Sequence, residues 1–255
     1  MRLLGQHAVV TGGGTGIGAA IAHALAAQGA RISLVGRRLE KLEETAGSIG
    51  GDGVFCCAAD VTVRTEVDRA FDRARNAHGP ISILVNNAGA AEAAPFAKVT
   101  EALWRRTMAV NLDALLHCTQ AALPDLRAGE AGRIVTIAST AGLKAYLYTA
   151  PYVAAKHGAV GLTRALALEL AKTKVTANAV CPGFTETDIA AEAIAKIREK
   201  TGRSEEEARA ELAKLSPQNR LVTPEEVAAA VVWLCLPESG SITGQAIAVA
   251  GGEVM

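Results

Sequence analysis

Aromatic residues are scarce in this chain: four Phe, three Tyr and two Trp among 255 residues, with packing left to Ala, Val, Leu and Gly. A surplus of either charge is missing too, since 26 Lys and Arg balance 26 Asp and Glu. A neutral chain offers no electrostatic reason to expect a nucleic acid or an anionic membrane as partner. Long apolar runs are absent: Ile81–Val85 and Val231–Leu236 are far too short to span a bilayer. The distance from Met1 to the first β-rich run leaves no room for a signal peptide. The five cysteines (56, 57, 118, 181 and 235) are odd in number, scattered and without a C-x-x-C pair. They read as small buried hydrophobes in a reducing compartment, and the five histidines form no ligand cluster, so neither disulfides nor a metal site is expected. These absences predict a soluble cytoplasmic protein.

What is present is an alternation of short apolar β-rich runs and long amphipathic segments. Strands are expected near 7–10, 31–35, 54–58, 81–85, 133–138, 175–180 and 246–249. Helices are expected near 16–28, 39–49, 66–77, 101–126, 152–172 and 224–236. Continuously apolar strands separated by helices indicate a parallel sheet covered on both faces. Right-handed crossovers then give an α/β doubly wound sheet of Rossmann type with about seven strands. No repeat or linker interrupts the pattern, so residues 1–255 read as one domain. Residues 184–215 form an extra helical insert after a strand, with Ser204 and Glu207 spaced as a capping box. Ligands sit at the C-terminal ends of such strands, which makes the insert a candidate lid.

The first strand runs into Thr11-Gly12-Gly13-Gly14-Thr15-Gly16-Ile17-Gly18, which opens the first helix. Glycines there let the backbone turn sharply and approach a pyrophosphate drawn to the helix N-terminus. At the end of the second strand, where an acid often binds a ribose 2′-hydroxyl, this chain has Gly36-Arg37-Arg38. Two arginines at a helix N-terminus oppose its dipole, so helix stability does not explain them, whereas a 2′-phosphate does. NADP is therefore favoured, with NAD or two merely solvated arginines as the alternatives.

Tyr152 lies four residues before Lys156, with Ser139 thirteen residues upstream of the tyrosine. On one helix the i,i+4 spacing puts the two side chains on one face. The lysine ammonium is expected to lower the phenol pKa, and such a phenol can exchange a proton with a carbonyl or alcohol oxygen. Ser139 can hold the same oxygen, or it can simply end a strand.

Together the chain resembles the short-chain dehydrogenase/reductase family from about residue 5 onward. The resemblance is carried by Thr11–Gly18, Asp60-Val61, Asn86-Asn87-Ala88-Gly89, Asn111, Ser139, Tyr152/Lys156 and Pro182-Gly183 through Thr187, all in family order. It implies Tyr152 as general acid/base, with Lys156 lowering its pKa and binding the nicotinamide ribose. Ser139 would orient the carbonyl, and Asn111 would hold a water in a proton relay or else bend its helix. Gly12, Thr15, Gly16, Ile17 and Gly18, with Arg37 and Arg38, would hold the coenzyme diphosphate and 2′-phosphate. Asp60 and Val61 would meet the adenine, though Asp60 fits a helix cap as well. Asn87, Ala88 and Gly89 would line the cofactor, and Pro182, Gly183, Thr185 and Thr187 would pass the nicotinamide and phosphates. Tyr146 and Tyr148 would line the substrate pocket. Gly158 and Gly161, costly inside a helix, would mark close helix contacts.

The resemblance is strongest to 3-oxoacyl-carrier-protein reductases, implying an NADP-dependent ketone reductase acting on a 3-oxoacyl thioester. Dehydrogenases or reductases of bulkier or cyclic secondary alcohols are the close alternative, and a coenzyme-sensing protein without turnover the remote one. Family members commonly form tetramers, so a homotetramer is expected.

Overall fold

The computed structural model describes residues 1–255. The chain alternates strands and helices as β1 (His7–Thr11), α1 (Gly16–Ala27), β2 (Arg31–Gly36), α2 (Leu39–Ile49), β3 (Val54–Ala58), α3 (Arg64–His78) and β4 (Ile83–Asn86). It continues through α4 (Glu101–Met108), α5 (Ala114–Ala128), β5 (Arg133–Ile137), α6 (Ala150–Glu169), β6 (Thr176–Pro182), α7 (Asp188–Thr201), α8 (Glu205–Ala213), α9 (Pro224–Cys235) and β7 (Ala246–Val249). The seven strands form one parallel sheet in the order β3-β2-β1-β4-β5-β6-β7. The order reverses beside β1, between β1 and β4, and that switch point is where an open α/β sheet leaves a crevice at the strand C-termini.

Strands β1, β5 and β6 are buried along their whole length, because helices cover both faces and water reaches neither. Successive side chains on β1 serve opposite layers. Ala8 and Val10 pack with Ile21 and Leu25 of α1 and Val227, Val231 and Leu234 of α9. Val9 packs on the other side with Val67 and Phe71 of α3 and Cys118 and Ala122 of α5. All five cysteines are free thiols, four of them buried among apolar side chains. No helix is long and apolar enough to cross a membrane.

The sequence reading is corrected at two places, the 101–126 helix and Gly161, and holds at the insert and at Gly158. The helix expected near 101–126 is two helices joined by a π-helical turn, Ala109–Asp113, centred on Asn111. Such turns leave a helix ladder locally wider and recur at functional sites. The insert resolves into α7 and α8, with the Ser204–Glu207 capping box formed in both directions. Ala190, Ile194, Ala208, Leu212 and Leu221 give it a small apolar core of its own. Gly158 does mark a close contact, since a Cβ there would lie 2.9 Å from Leu112. Gly161 does not: a Cβ would meet nothing within 4 Å in this chain, so no packing within the chain excuses its cost.

Candidate active site

The glycine turn after β1 is built for close backbone approach. Gly12 has φ +64°, and a Cβ there would lie 2.9 Å from Asn87 Nδ2; a Cβ on Gly18 would lie 2.1 Å from the Gly12 carbonyl oxygen. No side chain fits at Gly18 without moving the turn. Thr15 is the N-cap of α1 but its side chain makes no capping bond, and the first turn carries no acid, so nothing in the chain competes for the helix N-terminus. Ile17 packs its side chain against the core below, leaving only its backbone toward the turn. Gly16, at φ +52°, faces Thr187, the N-cap of α7, which ties the start of the insert to the glycine turn.

The loop after β4 is fastened to that turn by Thr11 and Asn87. Thr11 Oγ1 accepts from the Asn87 and Ala88 backbone N–H groups at 3.0 and 3.1 Å. Asn87 Nδ2 donates to the carbonyls of Thr11 and Gly12 at 2.9 and 3.2 Å. In the sequence Thr11 stands only as the first residue of the glycine motif, with no role of its own assigned.

Arg37 and Arg38 are exposed beyond β2, Arg38 being the N-cap of α2, and neither makes an ion pair. Asp60 Oδ1 accepts from the Thr62 N–H and hydroxyl at 2.9 and 2.7 Å. Burial acts to raise the Asp60 pKa, but the Thr62 bonds and the nearby Arg37 outweigh it and hold the carboxyl below its ordinary value. The cap expectation for Asp60 is corrected: Val63 is the N-cap of α3, and Asp60 braces the turn before it. Val61 is buried in the core beside α3.

Asn111 is completely buried in the π turn. Its Nδ2 donates to the carbonyls of Ala90 and Thr107 at 2.8 and 3.0 Å, and its Oδ1 accepts from Ala90 N–H at 3.3 Å. It interrupts the helix and reaches the loop after β4. A Cβ on Gly89 would lie 2.9 Å from Asn111 Oδ1 and 3.5 Å from Lys156 Nζ, so a side chain there would crowd the Asn111 amide.

Ser139, Tyr152 and Lys156 meet at the C-terminal end of β5. Ser139 caps the short turn Thr140–Gly142, its Oγ accepting from Ala141 N–H at 3.0 Å. Tyr152 and Lys156 lie in the first turns of α6, and Lys156 Nζ is 5.6 Å from the Tyr152 ring centroid. The lysine is 5% exposed and donates to the Ile137 carbonyl at 2.9 Å.

The protonation pattern differs from the expectation that Lys156 lowers Tyr152. Burial pushes the Tyr152 phenol up, while hydrogen bonding to Ser139 pulls it down and Lys156 is not among the governing influences. Burial also pushes Lys156 down, to about 8. Desolvation penalises both charged forms, and neither residue is among the influences on the other.

Of the remaining expected residues, Pro182 ends β6 and is buried, and Thr185 Oγ1 donates to the Gly183 carbonyl at 3.0 Å. Thr187 Oγ1 donates to the Thr185 carbonyl at 3.3 Å. Tyr146 is half-buried and bonded to Thr140 and Glu253. Tyr148 is 60% exposed with φ 63°, a left-handed backbone rare for a bulky side chain, and its carbonyl accepts from Ala94 N–H at 2.7 Å. Glu253 was missed from the sequence, where an acid after Gly251-Gly252 carries no recognisable motif.

A glycine turn after the first strand together with a serine, tyrosine and lysine at the end of the fifth has many counterparts. The model of the short chain dehydrogenase family matches residues 6–198. The chain is 40% identical to a putative ketoacyl reductase of granaticin polyketide synthase from Streptomyces violaceoruber, covering 96% of this chain and 92% of that one. It is 37% identical to a D-β-hydroxybutyrate dehydrogenase from Cupriavidus necator, covering 99% of each. A solved structure of a substituted actinorhodin polyketide ketoreductase with NADPH superposes with a TM-score of 0.93 at 36% identity, covering 97% of both chains. This chain belongs to the short chain dehydrogenase family. It is an oxidoreductase acting on CH–OH groups.

Proposed function

We propose that the protein is an NADP-dependent reductase of a ketone, with Tyr152 as the proton donor and a 3-oxoacyl thioester as the substrate. The observation that carries the reading is the convergence of Ser139, Tyr152 and Lys156 beside Asn111 and Gly89, on the loop that Asn87 fastens to the glycine turn. The chain's own residues suit a dinucleotide: Gly12 and Gly18 clear the approach, and the N-terminus of α1 offers unpaired N–H groups. Arg37 and Arg38, free of ion pairs, would hold the 2′-phosphate, with Asp60 and Val61 beside the adenine. Asn87, Ala88, Pro182, Gly183, Thr185 and Thr187 would line the remainder.

When bound, NADPH supplies a hydride to the carbonyl carbon. Ser139 Oγ and the Tyr152 hydroxyl would both donate to the carbonyl oxygen, aligning it and stabilising the charge that develops there. A phenol raised by burial stays protonated at neutral pH, so Tyr152 is ready to give its proton as the oxygen becomes basic. Lys156 would bind the ribose hydroxyls, and Asn111 would anchor a water that returns the proton to Tyr152. The helices α7 and α8 would form a lid over the substrate.

Relatives described as ketoacyl reductases favour the thioester. The hydroxybutyrate dehydrogenase relative supports a second reading, in which a secondary alcohol is oxidised with NAD. A homotetramer in the cytoplasm fits the resemblance, and Leu168 and Leu116, 80% and 46% exposed on α6 and α5, are apolar surface such an assembly would cover. The deciding experiment follows nicotinamide absorbance with acetoacetyl-CoA and either NADPH or NADH at matched concentration. Rapid NADPH oxidation with NADH far slower supports the reading. Preference for NADH overturns the coenzyme assignment, and no turnover with either overturns the thioester.

A further inference from the structure

Glu253 places a carboxylate at the edge of this site. It follows the Gly251-Gly252 turn, both glycines at positive φ, and its side chain is 1% exposed. Oε1 pairs with Lys144 Nζ at 3.1 Å and accepts the Tyr146 hydroxyl. Oε2 lies 2.9 Å from where a Cβ on Gly183 would stand. The Tyr146 hydroxyl is also 2.6 Å from Thr140 Oγ1, the residue directly after Ser139. Its ring meets Phe184, at the base of the insert, edge to face with centroids 6.1 Å apart, and Lys144 Nζ lies 5.0 Å from its centroid.

The proton count is decided by chemistry. A carboxylate only accepts, and Tyr146 has one proton, so the phenol donates to Glu253 and its oxygen is left to accept from Thr140. Burial first, then Glu253, pushes the Tyr146 phenol above its ordinary value. Tyr146 is thus held protonated and occupied, which leaves Tyr152 alone as the acid. A buried carboxylate is costly unless paired and hydrogen-bonded, and Glu253 meets both conditions with partners that all flank the reacting centre.

We propose that Glu253 is a positioning residue for the substrate wall. Its carboxylate clamps Lys144 and Tyr146, on the loop leading from Ser139 to Tyr152, against Gly183 and Phe184 at the base of the lid. Ketone recognition therefore depends on it more than coenzyme binding does, because its polar partners are Lys144 and Tyr146 and it touches the coenzyme wall only at Gly183. This rests on the ketone-reductase reading above.

The test compares wild type, Glu253→Ala, Glu253→Gln, Tyr146→Phe and the Glu253→Ala/Tyr146→Phe double variant on acetoacetyl-CoA and cyclohexanone. NADPH affinity is measured separately by nucleotide fluorescence. Glu253→Ala is expected to raise KM for the ketone about tenfold while kcat stays within about threefold and NADPH Kd within about twofold. Gln keeps an acceptor for Tyr146 and is expected to restore most of the loss, and the double variant to be no worse than Glu253→Ala alone. An unchanged KM, an equal loss of NADPH affinity, or additive losses would overturn the proposal. If wild type reduces neither ketone, the ketone-reductase reading fails and the clamp is judged by tyrosine absorbance titration. One phenol, missing in Tyr146→Phe, should then titrate at lower pH in Glu253→Gln than in wild type. Identical titrations in those two proteins would overturn the clamp by itself.

Discussion

Lys156 does not bond Tyr152: its Nζ stands 5.6 Å from the tyrosine ring centroid and donates to the Ile137 carbonyl at 2.9 Å. The two residues share a helix face, as their spacing requires, but the lysine is anchored on β5. It approaches Gly89 from there, a position suited to a ligand between the loop after β4 and Tyr152.

Replacing Tyr152 with Phe keeps the ring and removes only the proton. We expect turnover to fall about a thousandfold, the size of a lost general acid, with NADPH affinity within about twofold of wild type. Steady-state kinetics beside a fluorescence titration checks both, and an active variant would remove Tyr152 from its role.

In the proposed reading the coenzyme preference rests on Arg37 and Arg38. Changing both to Ala should raise the KM for NADPH about thirtyfold and leave that for NADH within about threefold, since only NADPH carries a 2′-phosphate for charge-assisted bonds. Equal losses for both coenzymes would count against the assignment.

Burial disfavours the Lys156 ammonium and pushes its pKa down to about 8. If coenzyme binding favours the ammonium, NADPH Kd should be flat below pH 8 and rise above it by up to about tenfold per pH unit. Lys156→Met should bind more weakly and lose the break. A Kd titration across pH 6 to about 10 reads both without turnover.

Away from the site, His7 is buried between the Gly79 carbonyl and Ser33 Oγ, at 2.8 Å from each, and burial pushes its pKa from 6.5 down to about 4. The unfolded chain binds the proton first, so stability is full above pH 6.5 and is lost as pH falls toward 4. The contribution across that window is about 3 kcal/mol, and a glutamine at position 7 should flatten that part of the profile. Urea midpoints at several pH values measure it.

The local periods of the sequence determined most of the fold. Period-free apolar runs became buried parallel strands, and β3, β7 and α2 fall on the expected residues. The glycine turn and the Tyr152/Lys156 pair were legible because each needs a fixed local spacing. Tertiary structure decided what depends on contacts between distant segments. Asn111 breaks its helix because Ala90, brought beside it by the sheet, bonds its side chain in both directions. Burial, which no spacing reports, reversed the expected shift of Tyr152. Glu253 acquires its partners only when β7 lies beside β6, which carries its turn to Gly183, Lys144 and Tyr146, more than a hundred residues away along the chain from the two it bonds.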